Sequence, residues 1–188
     1  MTQRTSLIRA AIACVLLTGS LIAMSAAPAA AVSGSKSDPK GDVYILTSLA
    51  KKQANKIDLR KLTYQVVKGK QATFVLTAKD VDKSSTYRQH YNVQLAPTKT
   101  LKSNTVYLLI GWEAGGGCYG TVYPTKDVSK KVTCKVMTGQ NKVKLSVPTK
   151  LAPKNKKGVT YVRVQSAVSH YASGGSAYDW FPTFSVKP

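Results

Sequence analysis

Apolar and polar positions alternate with a period of two along much of the chain. Leu62, Tyr64 and Val66 alternate with Thr63 and Gln65, the Lys68-Gly69-Lys70 stretch supplies a turn, and Phe74 and Leu76 then alternate with Val75 and Thr77. This pattern predicts a hairpin. Tyr91, Val93 and Leu95 alternate with Asn92 and Gln94, and Val106 to Ile110 is a continuous apolar run, as expected for a strand buried on both faces. Residues 43–49, 119–123, 132–137, 143–147, 159–168 and 184–186 are further candidates, separated by turns rich in Gly, Pro, Asn and Lys. No segment keeps a helical period for three turns, although 49–59 has room for one helical turn. Nine or ten short strands at regular spacing predict an all-β fold, a two-sheet antiparallel β-sandwich of jelly-roll or immunoglobulin-like type.

The first thirty-one residues carry a different pattern. Arg4 and Arg9 precede an apolar run from Ala10 to Met24, and small residues lead to an Ala-x-Ala site at Ala29 to Ala31. These are the parts of a secretory signal peptide, here residues 1–31, with cleavage after Ala27 or Ala29 as alternatives. A transmembrane anchor would need about 20 apolar residues, and a lipidation site at Cys14 would put most of the apolar segment after the cysteine. The expected product is secreted and extracellular, with no membrane span after cleavage. Residues 32–40, rich in Ser, Lys and Gly, read as a flexible arm, and 41–188 as a single β-sandwich domain.

Charge changes the picture next. Without the first 31 residues the chain keeps 26 basic side chains, 23 of them Lys, against 8 acidic ones. Such an excess attracts polyanions, and an exported protein meets anionic envelope polymers first. Specific nucleic-acid recognition is not expected, because it favours Arg forks and only Arg60, Arg88 and Arg163 remain. Cys118 and Cys134 are the two cysteines left. An even pair in an exported chain reads as one disulfide; two free thiols are the other reading, and no His or third Cys lies nearby for a metal site.

Catalytic patterns are sparse. His90 and His170 are the only imidazoles, no Gly-x-Ser-x-Gly elbow occurs, and Glu113 is the only glutamate, so neither a nucleophile–base pair nor a glycosidase carboxylate pair can be named. A protein without catalytic activity is expected.

The motifs have an order of their own. Asp38-Pro39-Lys40-Gly41-Asp42-Val43 opens the domain, and Ile57-Asp58-Leu59-Arg60-Lys61-Leu62-Thr63-Tyr64 starts the first hairpin. Tyr91-x-Val93-x-Leu95, Val143 to Pro148 and Tyr161 to Val164 follow, and Tyr178-Asp179-Trp180-Phe181-Pro182 closes it. This order resembles a group of secreted, uncharacterised actinobacterial proteins with a DPxGD opening. In outline it is also similar to DOMON-like and family 9 carbohydrate-binding-module sandwiches. The resemblance implies a jelly-roll-like sandwich; family 9-like domains bind sugars and some DOMON domains bind haem, but no binding motif of either matches here residue by residue.

Three sets of residues are candidate sites. Trp112, Glu113, Tyr119 and Tyr123, in and beside the glycine-rich stretch 111–120, read as a mobile binding loop with aromatics to stack on a flat ligand, or as a long hairpin connection whose aromatics finish the core. Tyr178 and Trp180 would join them if exposed on one face. Asp38 and Asp42, with the Gly41 carbonyl between them, supply part of an oxygen shell for a structural calcium or simply shape a turn. The expected function is a secreted, non-catalytic binding domain for a glycan or anionic cell-wall polymer. The alternative is a secreted protein that binds another protein, as an interaction or inhibitor-type module.

Overall fold

A computed structural model describes residues 31–187, apart from 48, 84–85, 103–104 and 171. The expected signal peptide lies outside the described residues except for Ala31. Twelve strands run in order: β1 (Ala31–Ser37), β2 (Tyr44–Ile45), β3 (Leu59–Val67), β4 (Gln71–Ala78), β5 (Tyr87–Ala96) and β6 (Leu108–Glu113), then β7 (Gly117–Val122), β8 (Lys126–Asp127), β9 (Thr133–Met137), β10 (Lys142–Pro148), β11 (Thr160–His170) and β12 (Ser176–Val186). They form two antiparallel sheets, β1-β3-β4-β10-β9 and β2-β12-β11-β5-β6-β7-β8. The expected two-sheet antiparallel β-sandwich is present, with more strands than the nine or ten read from the sequence. The helical turn expected within 49–59 is there too, as α1 (Lys51–Ala54) and a 3-10 turn, Asn55–Ile57.

Alternation decides what each strand buries. Leu62 and Val66 of β3, Phe74 and Leu76 of β4, and Val143, Leu145 and Val147 of β10 point inward from the five-stranded sheet. Tyr91, Val93 and Leu95 of β5, Ile110 and Trp112 of β6, Val162 and Val164 of β11, and Phe181 of β12 meet them in one continuous core. Burying each such side chain contributes about 1.5–3 kcal/mol.

Several expectations are corrected. Residues 32–40 are not all a flexible arm, because β1 pairs with β3 along its whole length, from Ala31↔Val67 to Ser37↔Lys61. Its sequence is polar because it is an edge strand held by backbone bonds. Gly34 is needed there, since a Cβ would come within 2.5 Å of the Tyr64 hydroxyl. The run 106–110 is not a strand buried on both faces: β6 begins at Leu108, and Val106 is 48% exposed. Residues 111–120 form no long loop either. They are the β6–β7 hairpin, turned through Ala114, Gly115 and Gly116, with Gly115 and Gly117 both at positive φ (83° and 86°). Among the described residues of 43–49 only Tyr44–Ile45 is strand, whereas 184–186 is the end of a strand that starts at Ser176.

Two ties join the sheets at opposite edges. Cys118 of β7 and Cys134 of β9 form the expected disulfide, with 5.8 Å between their Cα atoms. Across the molecule Asp179, pointing inward from β12, accepts the Leu59 N–H of β3 at 2.7 Å. No helix among the described residues is long and apolar enough to cross a membrane.

Candidate functional site

Neighbouring strands in register place side chains on a common face. On the outer face of the seven-stranded sheet this assembles one row from Trp180, Gln165, Asn92, Gly111 and Tyr119, contributed by β12, β11, β5, β6 and β7 in turn. The next row holds Tyr178, Ala167, His90 and Glu113. Five strands at about 4.8 Å spacing make the row about 19 Å long.

The row is connected. Asn92 Nδ2 reaches Gln165 Oε1 at 3.5 Å, and the Tyr119 hydroxyl donates to Asn92 Oδ1. Tyr119 can lie flat across β6 only because residue 111 is glycine: a Cβ there would stand 2.5 Å from both the Tyr119 ring and Asn92 Oδ1. Gly111→Ala should therefore push Tyr119 off Asn92 and cost about 1–3 kcal/mol through overpacking. A thermal melt indistinguishable from the parent would contradict this arrangement. Burial raises the Tyr119 phenol above its ordinary value, with Glu113 and Tyr123 adding to the shift, so it stays a donor.

Aromatic rings flank the amides. Trp180 is 43% exposed and Tyr44 57%. Tyr178 lies between them, 5.2 Å from the Tyr44 ring and edge-on to Trp180 at 6.0 Å. Tyr123 stacks on Tyr107 at 4.4 Å beyond the other end of β6 and β7. Along the second row Arg88 pairs with Glu113 at 3.1 Å, and Glu113 lies 3.9 Å from His90. Burial lowers the His90 imidazole below its usual value; Glu113 opposes that shift and Arg88 adds to it.

Lysine is missing from this sheet's interior. The strands β5, β6, β7, β11 and β12 contain none, although 23 lysines follow residue 31. The opposite face differs: the outer side of the five-stranded sheet carries Thr63, Gln65, Thr73 and Ser146 beside Lys135 and Lys144, lining two shallow depressions.

Of the six residues expected to bind a ligand, Glu113, Tyr119, Tyr178 and Trp180 thus share the outer face, and Tyr123 stands farther along it. Trp112 does not. It points into the core and stacks on Tyr91 with 6.1 Å between ring centroids. Sequence reasoning missed Asn92, Gln165 and Arg88, although period two already set Asn92 opposite the buried Tyr91 and Val93. His170 and Ser173 do touch, but the arrangement is a turn: His170 Nδ1 accepts the Ser173 N–H at 3.0 Å and contacts its hydroxyl at 2.8 Å.

The expected calcium residues lie elsewhere, where β1 ends. Asp38 and Asp42 meet Asp179, one carboxylate oxygen from each lying within 4.8 Å of the others. Asp58 stands close by, paired with Arg60 at 2.6 Å and accepting the Gly41 N–H at 3.0 Å. Burial, then repulsion from Asp179, Asp42 and Asp58, pushes the Asp38 carboxyl up to about 7. Asp179 is raised as well, chiefly by burial.

In comparisons with known families and with curated proteins, no family model and no curated protein matches the chain.

Proposed function

We propose that this is an exported, non-catalytic binding domain whose ligand is a glycan laid across the outer face of the seven-stranded sheet. The observation that carries this reading is the lysine-free row of planar amides bounded by aromatic rings. A sugar offers hydroxyl pairs that both donate and accept, and a carboxamide supplies both functions in one plane. Its C–H faces pack on an indole or phenol ring, which tolerates a wet edge. Gln165 and Asn92 supply the first element, and Trp180, Tyr178 and Tyr119 the second. The lysines outside this face draw the protein toward anionic envelope polymers and give its approach a dependence on salt.

A partner protein is the second reading. Tyr44, Ile45 and Leu46 are exposed at the sheet edge, at 57%, 38% and 55%, next to Trp180. An apolar group beside a free edge suits a protein surface.

The test is co-sedimentation with purified Gram-positive cell envelopes across a salt series. Saturable binding that survives high salt is expected, weakened about tenfold by Trp180→Ala or Gln165→Ala, which corresponds to about 1.4 kcal/mol. Binding that disappears with salt and ignores both substitutions would overturn the glycan face and leave charge alone. Full envelope binding by Trp180→Ala, together with loss of a captured protein from Ile45→Lys, would favour the second reading.

A further inference from the structure

Half of the acidic residues of a strongly basic protein converge on one spot. Asp38, Asp42, Asp58 and Asp179 account for four of the eight acids in the chain, set against 28 Lys and Arg. Yet only Asp58 among them has a cationic partner: none of the ion pairs among the described residues involves Asp38, Asp42 or Asp179. We propose that Asp38, Asp42 and Asp179 bind a calcium ion that fastens the end of β1 to β12.

Asp38 points to the ligand most directly. It is 9% exposed, and both of its carboxylate oxygens are buried without a hydrogen-bond partner. A buried carboxylate is retained when something compensates its charge, by pairing or by coordination. Arg60 reaches Asp58 through Nη2 at 2.6 Å and forms no ion pair with Asp38; its field on Asp38 is the smallest of the influences there, outweighed by burial and the neighbouring aspartates.

The geometry suits one ion. Calcium–oxygen distances of about 2.3–2.6 Å place opposite ligands about 4.6–5.2 Å apart. The three oxygens lie within 4.8 Å of one another, so all can sit on a single shell. The donors are carboxylates alone, which favours a hard cation over zinc or copper. Calcium accepts six to eight oxygens, leaving room for loop carbonyls and water.

The surrounding backbone holds the donors in place. The Asp38 N–H donates to the Arg60 carbonyl at 3.2 Å, continuing the β1–β3 ladder by one bond. Gly41, at a φ of 82°, turns the chain and donates its N–H to Asp58, which brings Asp42 back toward Asp38. Asp179 is oriented by the Leu59 N–H at 2.7 Å and the Trp180 N–H at 2.8 Å. The ion would therefore bridge both sheets directly behind the Trp180 side of the outer face.

The experiment uses the protein stripped with chelator and titrated with CaCl2 by calorimetry and thermal melts, with TbCl3 as a luminescent probe excited through tryptophan. One ion per chain is expected, with a Tm that climbs as calcium is added, as for any ligand of the native state alone. Asp42 is exposed, so Asp42→Asn should fold normally without calcium yet bind at least tenfold more weakly. Asp38→Asn should abolish the calcium response of Tm. Trp180→Phe should keep calcium affinity but dim the terbium emission, because Trp180 follows a ligand in sequence. No heat and no rise in Tm up to about 10 mM CaCl2, tenfold above the weakest affinities of extracellular calcium modules, would overturn the site. Unchanged affinity in Asp38→Asn and Asp42→Asn would overturn the ligand set, and an equal response to MgCl2 the assignment to calcium.

Discussion

Trp112→Ala should weaken the fold and leave the binding face intact. The indole is 7% exposed, stacks on Tyr91 and belongs to the main core between the sheets. Tyr91 behind it is fully buried, its hydroxyl bonded to Gln89 Oε1 at 3.1 Å, so the neighbourhood has little freedom to close over a void. Truncating a buried tryptophan to alanine costs about 3–5 kcal/mol, a fall in Tm of roughly 6–20 °C for a chain of this size. The check is a melt paired with envelope binding at a temperature where the variant is still folded. A normal Tm with lost binding would place Trp112 at the ligand and refute the stacked arrangement.

Removing the disulfide should have an effect of similar size. The bond closes a loop with a sequence separation of 16, for which the chain-entropy relation gives about 3 kcal/mol. Its position raises the stakes, because it is a covalent link between the two sheets at the β7–β9 side. The Cys118→Ala/Cys134→Ala variant should melt several degrees below the parent, and reductant should lower the parent's Tm toward that of the variant without moving the variant itself. Equal melts for oxidised and reduced parent would show that the sheets hold together there without the bond.

How much of this was legible depended on where each strand sits. β4 and β5 alternate cleanly because one face meets the core and the other meets solvent, so periodicity located both. β1 was invisible for a physical reason: its Ser-Gly-Ser-Lys sequence buries almost nothing, and its strand character comes from backbone bonds to β3, a partner thirty residues away. The first half of β12 was missed because its polarity is inverted. Asp179 faces inward while Tyr178 and Trp180 face outward, so hydrophobicity alone reads it backwards. β6 posed the opposite difficulty, since a run of Leu, Ile and Trp does not reveal which of Trp112 and Glu113 faces solvent.

The site was legible in the same uneven way. Five of six suggested ligand-side residues lie on one face, but the amides between the rings came from cross-strand register, which a linear sequence does not display. Asp38 and Asp42 could be paired through their shared turn. Asp179, more than a hundred residues later, joins them only once the sheets are stacked.

The borders of the sandwich deserve a different reading of its positive charge. An unpaired strand edge is a template on which another copy of the same chain can add itself. Here the four borders are β1 and β9, β2 and β8. β1 exposes Ser33, Ser35 and Lys36; β9 carries Lys135 and is stapled to β7; β2 and β8 are two residues long, and β8 begins with Lys126. None offers a long apolar ribbon, and a neighbour approaching three of them meets a lysine. At these positions the charge would act as insulation between copies of the molecule, disfavouring growth sheet upon sheet into fibres.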